Sequence, residues 1–439
     1  MPSKPLWVWL PGQHEPTLAG TLTGDEMGWT LAYEPGYVDS GVAIDPIALK
    51  LSTRPFKTPY LPGVVVDAKP SGYGQDRLNA RHGRDLSELE LLEEGAGDGV
   101  GAIAVCDDIS RKQGGCMPTL QDLESATRAL DEHAPASRAI RAVNGDIETS
   151  AGGERPKMTL RDGGSLWLAK MQDRGDRPGM PALEFLTMSL ARECEITVPA
   201  VKLVTVGSRQ VFLVERFDRH DSPLGPCRRF FASAHSVLRL PQATVRGDPR
   251  RSYLDFAYEA RRWSRAGQES DDDMAELWKR MAFNALVGNV DDHARNHGLL
   301  LVDGTWRLAP AFDITPLQMA TPEGEEPWPA LAMAVHINGS TVASPHHLLA
   351  SASAFGLDLG RARDYLRKAA GCLAESWEIR LREALAPLAA PADAERIVST
   401  ARNAFAMAEH IATQPEAVDA PFEALLRVVG KRSRAQKKG

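Results

Sequence analysis

Cysteines are few in this sequence and long apolar runs are missing, and both shortages exclude classes of protein. The 439 residues include five cysteines, which are odd in number, widely scattered and never paired as Cys-x-x-Cys. A disulfide framework or a cysteine-based metal site is therefore not expected, whereas free thiols in a reducing compartment are. No stretch approaches the ~18 apolar residues of a membrane-spanning helix, and the apolar run at residues 6–10 ends at Pro11, too early for a signal segment. The sequence predicts a soluble, cytoplasmic protein that makes no membrane contact.

Positive charge is also in deficit. The chain carries 51 lysines and arginines against 58 aspartates and glutamates, a formal net charge of −7. A protein that binds nucleic acid unaided needs a basic face to neutralise phosphates, so unaided DNA or RNA binding is not expected. Hydrophobic residues at 43% and charged residues at 25% are ordinary for folded domains. At roughly 100–200 residues per domain, the length suits two or three domains.

Strand and helix patterns divide the chain into a mixed first part and a helical second part. Short aromatic-rich runs separated by turn residues precede residue 60, and a helix is expected at 85–94. Apolar residues from Met274 to Leu286 recur at helical spacing, with Asp273 as a candidate N-cap. We predict an α+β fold with a small mixed α/β domain at 1–110, a linker with a helix at 111–144, a first lobe at 145–220, a mostly helical second lobe at 221–430 and a basic disordered tail at 431–439.

The loop after the predicted Met274–Leu286 helix collects polar residues that are costly to place without a use. Asp291 and Asn296 are five residues apart. This is the spacing of the protein-kinase catalytic loop, in which the aspartate accepts the substrate hydroxyl proton and the asparagine binds metal. Asp313 follows a short apolar strand and suits a second ligand for Mg²⁺, which prefers oxygen. The alternative for the Asp…Asn spacing is a helix C-terminal turn with an Asx cap.

Upstream features match other parts of a kinase. Lys170 ends a predicted strand, and Glu184 lies fourteen residues later on a predicted helix, like the lysine–glutamate ion pair of kinases. Each alone could be an ordinary surface charge. Before them, small residues allow backbone N–H groups to approach a phosphate, although a plain turn is the alternative. The residues of this candidate phosphate loop are Ser150, Ala151, Gly152, Gly153 and Lys157.

The β-branched runs at 198–206 and 211–214, on either side of Gly207-Ser208, predict a hairpin. A hinge between two lobes is predicted where this hairpin ends and the helical half begins. There Glu215 and Phe217 would offer groups to an adenine, and Asp218 would contact a ribose. An ordinary strand end with an Arg–Asp pair is the alternative. The chain order of glycine loop, strand lysine, helix glutamate, hinge, Asp…Asn loop and metal aspartate predicts a two-lobed kinase-like fold that uses ATP and Mg²⁺.

These motifs resemble those of the HipA family, whose members are serine/threonine protein kinases that act as toxins of type II toxin–antitoxin systems. The resemblance is carried by residues 150–157 (SAGGERPK), 167–170 (WLAK), 215–219 (ERFDR), 283–296 and 308–313 (LAPAFD), and more loosely by 20–33, 61–76 and 99–103. It implies a Mg²⁺-ATP-dependent kinase that inhibits growth by phosphorylating a translation-related protein such as an aminoacyl-tRNA synthetase. The partners it implies are a small helix-turn-helix antitoxin and operator DNA, reached through that antitoxin.

The resemblance also implies roles at matching positions. It makes Asp291 the catalytic base, Asn296 and Asp313 the metal ligands, Lys170 a phosphate contact, and residues 215–218 the adenine and ribose contacts. Ser150 matches a serine whose autophosphorylation inactivates such kinases, because roughly two negative charges would be added beside the triphosphate. His293 has two interpretations: it orients Asp291 or approaches the nucleotide, or it only packs the loop.

Two other functions fit the same residues. The phosphotransfer site could serve a small-molecule acceptor, as in antibiotic kinases, because the surface around Asp291 sets acceptor preference. A catalytically inactive, kinase-like scaffold for an antitoxin–DNA complex is the third possibility, and the retained Lys170, Asp291, Asn296 and Asp313 argue against it. The pair His346-His347 lacks a carboxylate or cysteine at metal-ligand spacing, so a helix beginning after Pro345 is expected there instead.

Overall fold

A computed structural model describes most of the chain. The described residues are 1–113, 117–129, 157–172, 177–207, 209–220, 225, 227–242, 248–264, 267–320, 324, 326–387 and 390–419. The predictions for Ser150, Ala151, Gly152 and Gly153 and for the basic tail at 431–439 lie outside these residues.

An antiparallel sheet forms the N-terminal domain. Among the described residues its strand order is β4-β3-β2-β1-β5. Its strands are β1 Ser3–Val8, β2 Thr17–Asp25, β3 Gly28–Tyr33, β4 Phe56–Thr58 and β5 Ile103–Val105. In β3 alternate residues Trp29, Leu31 and Tyr33 are buried, which is the pattern of a strand with one face on a core. β5 returns to pair with β1, which brings residues 95–101 back to this domain's edge.

Short helices follow or precede these strands in the same domain. They are α1 Pro35–Ser40, α2 Gly63–Asp67, α3 Tyr73–His82, α4 Glu88–Glu94 and α5 Ser110–Gln113. The expected helix at 85–94 is confirmed as α4, which begins after Ser87. A capping box between Ser87 and Glu90 satisfies the first free N–H groups of α4 and fixes its start.

The second sheet belongs to the first lobe. Its order among the described residues is β6-β7-β9-β8, with every pair antiparallel. The strands are β6 Lys157–Asp162, β7 Ser165–Met171, β8 Val201–Val206 and β9 Arg209–Glu215. The expected hairpin is confirmed as β8–β9. Helices α6 Leu120–Ala129 and α7 Met180–Glu193 contact this sheet, with Met158, Trp167 and Leu213 in its core.

The second lobe is mostly helical. Its helices are α8 Ala234–Val237, α9 Tyr253–Trp263, α10 Gln268–Leu286, α11 Pro345–Ser351, α12 Leu359–Leu385, α13 Pro391–Ala401 and α14 Ala406–Thr413. The strands are β10 Arg219–His220, β11 Cys227–Arg228, β12 Phe231–Ser233, β13 Gly298–Val302 and β14 Thr305–Leu308. The core of this lobe includes several buried aromatic rings, and Trp377 stacks on Phe405 with centroids 4.5 Å apart.

The N-cap prediction for Asp273 is wrong. Helix α10 begins at Gln268, so Asp273 lies inside it. Its carboxylate is buried and accepts hydrogen bonds from Arg307 Nε and Nη2 at 2.8 and 2.9 Å and from Leu308 N at 3.0 Å. Asp273 therefore joins α10 to β14 instead of starting the helix. The helix expected after Pro345 is α11, which begins at that residue.

The predicted α+β fold class is confirmed: an N-terminal sheet domain precedes a two-lobed, kinase-like unit with a helical second lobe. Of the described residues, no helix is long and apolar enough to cross a membrane. Four of the cysteines, namely Cys106, Cys194, Cys227 and Cys372, are free thiols.

Candidate active site

Lys170 lies at the centre of a charged cluster between the lobes. From β7, its Nζ lies 2.5 Å from Glu184 Oε1, on α7, and 2.6 Å from Asp313 Oδ1, beyond β14. Burial lowers the pKa of Lys170, but the carboxylates of Asp313 and Glu184 outweigh it and the net shift is upward. The lysine is therefore held as a cation. The structure thus brings together Lys170, Glu184 and Asp313, three residues that lie far apart in the sequence; we call them the open cluster.

Lys157 extends this cluster. It is the first residue of β6 and lies directly opposite Lys170 in the β6–β7 ladder, so both side chains emerge on the same face of the sheet. Lys157 is buried. Burial raises the pKa of Asp313, but the positive charges of Lys170 and Lys157 and the hydrogen bond from Lys170 outweigh it and hold that pKa below its usual range. Two lysines on one face are an arrangement suited to phosphate oxygens.

Asp313 adopts an uncommon backbone conformation. Its φ is +60°, in the left-handed region that residues other than glycine seldom occupy. Its side chain is 40% exposed, although its carboxylate is bonded to Lys170. Left-handed non-glycine residues concentrate at functional sites, where the surrounding structure holds them. The backbone of Asp313 is thus held in place by the surrounding structure, while part of its side chain remains accessible to solvent.

The candidate catalytic loop begins where α10 ends. Gly288 has a φ of +58°, and a Cβ there would lie 2.6 Å from Ala404 O, so only glycine fits. Beyond it Asp291 is exposed, and Asn296 Nδ2 donates to Asp291 O at 3.5 Å. The base predicted from the sequence therefore faces solvent, in a loop whose backbone the predicted asparagine helps to hold.

Two further residues brace this loop, and sequence reasoning missed them. Asp292 is buried and pairs with His297 Nε2 at 2.9 Å. Asn289 Nδ2 donates to Asn284 Oδ1 at 3.0 Å and so ties the loop to the last turns of α10. The available signal was the five-residue spacing of Asp292 and His297, which runs parallel to that of Asp291 and Asn296.

Hydrogen bonds join the catalytic loop to the segment that follows Asp313. The backbone N–H groups of Leu317 and Gln318 both donate to Gly288 O, at 3.0 and 2.9 Å. Thr187, on α7, donates from Oγ1 to Ile314 O at 2.5 Å. His293 of the loop contributes to lowering the pKa of Asp313, so the two residues lie near each other. The Nδ1 atom of His293 is buried without a hydrogen-bond partner. The open cluster and the Asp291–Asn296 loop therefore form one site.

At the hinge, Phe217 and Glu215 lie at the edge of this site. The Phe217 ring centroid is 5.4 Å from that of Phe312, the neighbour of Asp313, and 5.9 Å from that of Phe231. Glu215 ends β9 half-buried, and its backbone N–H donates to Ala200 O at 2.9 Å. The hinge therefore packs, through Phe217, against the ring of Phe312, which is the residue before the candidate metal ligand Asp313.

Asp218 does not have the arrangement predicted for a ribose contact. Its side chain is 6% exposed. The carboxylate accepts bonds from Arg216 Nε and Nη2, Arg219 Nη1 and Gly101 N at 2.7–3.0 Å. Burial raises the pKa of Asp218, but the two guanidinium groups outweigh it and hold the pKa below its usual range. This carboxylate is buried and already accepts from four donors, so the Arg–Asp pair left open as the alternative is the observed arrangement.

The oxygen donors present fit Mg²⁺. Asn296 uses its amide nitrogen toward Asp291 O, which leaves Oδ1 as an acceptor, and Asp313 has an exposed carboxylate side. Within the described parts of the chain no group of three or more His, Cys, Asp or Glu residues could hold a metal alone. Mg²⁺ commonly takes one or two protein oxygens and completes its shell with phosphates and water, so Asn296 and Asp313 suffice for such an ion.

The fold and site define a kinase-like protein with an added N-terminal domain. The HipA N-terminal domain family matches residues 6–106, and the HipA-like C-terminal domain family matches residues 149–377. The second match alone covers more than half of the chain, and the chain belongs to the HipA family.

Relatives and solved structures agree with this assignment. Y4mE of Sinorhizobium fredii, provisionally named a kinase, is 25% identical over 340 residues, which cover 72% of this chain and 77% of Y4mE. Y4dM of the same organism, also provisionally named a kinase, is 28% identical over 170 residues, covering 34% of this chain and only 37% of Y4dM. HipA of Shewanella oneidensis MR-1, solved with HipB and operator DNA, has a TM-score of 0.67 and 18% identity. That match covers 94% of this chain and all of the other, and it shows a shared fold.

Proposed function

We propose that this protein is a Mg²⁺-ATP-dependent serine/threonine protein kinase that acts as the toxin of a type II toxin–antitoxin system. The observation that carries the proposal is the open cluster, in which Lys170 bonds both Glu184 and Asp313, while the segment after Asp313 is hydrogen-bonded to the start of the loop that carries the exposed Asp291. Kinases need this set to hold the phosphates, bind metal and accept the hydroxyl proton.

Each side chain has a specific task in this proposal. Lys157 and Lys170 attract the phosphates, and Glu184 keeps Lys170 oriented toward them. Asn296 and Asp313 hold Mg²⁺, which when bound neutralises charge on the phosphate oxygens. Asp291 faces solvent, where a serine or threonine hydroxyl can approach, and accepts its proton. Glu215 and Phe217, in the hinge, contact the adenine of ATP.

The regulatory and cellular parts of the proposal rest on the family. Ser150 lies seven residues before Lys157, so its hydroxyl is within the ~25 Å that seven extended residues can span from the phosphate side. Its autophosphorylation would inactivate the kinase, and the growth-inhibitory target is a translation-related protein such as an aminoacyl-tRNA synthetase. Because the chain has a net charge of −7, operator DNA is reached through a small basic helix-turn-helix antitoxin, as the Shewanella oneidensis MR-1 complex suggests.

Labelling with radioactive ATP tests this proposal. The full chain is incubated with Mg²⁺ and γ-labelled ATP, alone and with a cell extract, and compared with Asp291→Asn. Loss of a general base costs roughly 10²–10⁴-fold in rate, so Asp291→Asn should abolish visible labelling. The matched control is Asp303→Asn, an exposed aspartate in the β13–β14 turn with a φ of +49°, which asparagine also tolerates.

Equal labelling by wild-type and Asp291→Asn proteins would contradict the assigned base. Labelling of a small molecule but of no protein would favour the antibiotic-type phosphotransferase instead. Phosphoproteomics of cells that express the wild-type or the Asp291→Asn chain then identifies the target, and a growth defect that depends on Asp291 is expected. An equal growth defect with both chains would favour the inactive scaffold.

A further inference from the structure

A second group of buried charges joins the hinge to the N-terminal domain, and the proposed chemistry does not use it. We call Arg216, Asp218 and Arg219 the closed cluster. All three side chains are buried. Their partners across the domain boundary are backbone groups of residues 98–101, which lie more than a hundred positions earlier in the sequence.

Arg216 connects three parts of the molecule with one guanidinium group. Its Nη1 donates to Asp98 O at 2.6 Å and to Thr159 Oγ1 at 3.1 Å, while its Nη2 donates to Gly99 O at 3.3 Å. Thr159 lies two residues beyond Lys157 on β6. The side chain that contacts the N-terminal domain therefore also contacts the strand that begins at the candidate phosphate ligand.

Arg219 and Asp218 complete the connection. Arg219 donates from Nη2 to Gly99 O at 2.7 Å and from Nη1 to Gly101 O at 3.1 Å. In return, Gly101 N donates to Asp218 Oδ2 at 2.8 Å. The segment 98–101 thus supplies carbonyl oxygens to both arginines and an amide to the aspartate between them.

The closed cluster encloses the hinge backbone. Arg216 N donates to Leu166 O at 2.8 Å, and Arg229 N donates to Asp218 O at 2.9 Å. Between Arg216 and Asp218, the ring of Phe217 packs in a small apolar cluster that also contains Val100 and Phe312. A displacement of residues 98–101 would therefore be transmitted to Phe217 both by hydrogen bonds and by packing.

We propose that Asp218, with Arg216 and Arg219, is a positioning residue for the nucleotide, and that segment 98–101 of the N-terminal domain is thereby an integral part of the nucleotide site. The inference rests on the proposed function, because it assigns the adenine side to Glu215 and Phe217. The N-terminal domain then sets ATP affinity through the hinge, in addition to any role in binding partners.

The experiment measures the dissociation constant of a fluorescent ATP analogue and the KM and kcat for ATP, with the full chain throughout. Asp218→Asn keeps the shape of the side chain but removes its charge. Loss of about one hydrogen bond's worth of hinge contact, roughly 1.4 kcal/mol, corresponds to tenfold in affinity, so the dissociation constant and KM for ATP should rise by about tenfold. The kcat at saturating ATP should stay within about threefold, because Asp291 and Asp313 are not altered.

Asp273→Asn is the matched control. Asp273 is also buried and, like Asp218, accepts from guanidinium and backbone N–H groups, although from one arginine instead of two, and it joins α10 to β14. Its variant should lose thermal stability while binding the analogue as the wild-type protein does. If Asp218→Asn fails to fold, Gly101→Ala replaces it. Gly101 has a φ of +76°, so alanine strains segment 98–101 without altering any hinge residue, and a smaller rise in the dissociation constant is expected.

The outcomes separate this inference from the proposed function. If folded Asp218→Asn or Gly101→Ala binds the analogue with wild-type affinity, the inference is wrong and the proposed kinase function stands. An equal loss of affinity in Asp273→Asn would also overturn it, because the effect would then be general destabilisation. If the wild-type chain itself binds no ATP analogue, the proposed function fails and the inference fails with it.

Discussion

The open cluster around Lys170 and the closed cluster around Asp218 are built from the same chemistry, and they differ in what remains available. In each, cationic side chains are paired with carboxylates and most of the side chains are buried. Asp313 of the open cluster keeps a side chain that is 40% exposed, whereas the side chain of Asp218 is 6% exposed and accepts hydrogen bonds from Arg216, Arg219 and Gly101. We therefore expect Asp313 to be able to exchange its ionic partner for metal or phosphate, and Asp218 only to fix the position of the hinge.

This comparison separates catalytic from positioning charges without reference to their sequence motifs. A charge that is buried and fully bonded is costly to disturb, because removing one partner leaves the other uncompensated. A charged side chain that is partly exposed can instead bind solvent or a ligand when one of its protein partners is removed. Substitutions in the open cluster should therefore act mainly on rate, and those in the closed cluster mainly on stability and nucleotide affinity.

The largest effect is expected from Asp313→Asn. Removing a proposed metal ligand should lower the rate of phosphate transfer by at least about 100-fold, since even residues that only support metal ligands are worth about 10–100-fold. The fold should persist, because Lys170 keeps Glu184 as its partner. Steady-state kinetics at several Mg²⁺ concentrations, with circular dichroism as the folding control, measure this. A rate within threefold of wild type would remove Asp313 from the site.

The second-largest effect is expected from Asp218→Asn, on the free energy of unfolding. Breaking a buried pair costs about 3–5 kcal/mol in free energy of unfolding, because Arg216 and Arg219 lose their counter-charge. Urea unfolding followed by tryptophan fluorescence provides the measurement, with Asp313→Asn as the comparison that should lose less. If both variants are destabilised equally, the distinction between open and closed clusters does not hold.

The pH dependence of this stability difference sharpens the comparison. The pKa of Asp218 is lowered in the folded protein, so its stabilisation is fully present above the unfolded aspartate pKa of about 3.9 and is lost as the pH falls through the lower folded value. The difference in unfolding free energy between wild-type and Asp218→Asn chains should therefore be constant from about pH 5 to 8 and shrink below about pH 4. A difference that grew on acidification would contradict the depressed pKa.

The smallest effect is expected from Gly101→Ala, on the N-terminal side of the closed cluster. The added Cβ would make ordinary contacts, 3.4 Å from Phe231 N, so the cost is the left-handed backbone alone. That cost is about 1–2 kcal/mol. The matched control is Gly12→Ala. Gly12 also has a φ of +76°, but a Cβ there would have no neighbour within 4 Å, and the urea unfolding midpoints of the two variants are compared. We expect the two variants to lose similar stability and only Gly101→Ala to bind ATP more weakly. A loss of ATP affinity in Gly12→Ala but not in Gly101→Ala would contradict the coupling between segment 98–101 and the hinge.

The open cluster was predictable from the sequence because its parts follow one another in a recognisable order. Lys170, Glu184 and Asp313 each end or lie on a predicted element, and kinase geometry supplies the reason for bringing them together. Their mutual contacts, at 2.5 and 2.6 Å, agree with that reasoning. The fold class followed from the change of periodicity along the chain.

The closed cluster was not predictable because its contacts are long-range. In the motif 215–219, an aspartate two residues from one arginine and adjacent to another suits a ribose contact or an ion pair equally well. The deciding partners are Gly99 and Gly101, which are 117–120 positions away from the side chains that they bond. The start of α10 was missed for a related reason: the acidic residues before Met274 look like a loop, yet Asp273 is stabilised inside the helix by Arg307 of a distant strand.

The most direct test of the different roles of the two clusters is phosphate transfer from ATP by the full chain, measured over a range of ATP concentrations. We expect the wild-type protein to transfer phosphate to protein, Asp291→Asn to transfer none at any concentration, and Asp218→Asn to regain a near-wild-type rate as ATP approaches saturation. Transfer by Asp291→Asn at the wild-type rate would contradict this expectation.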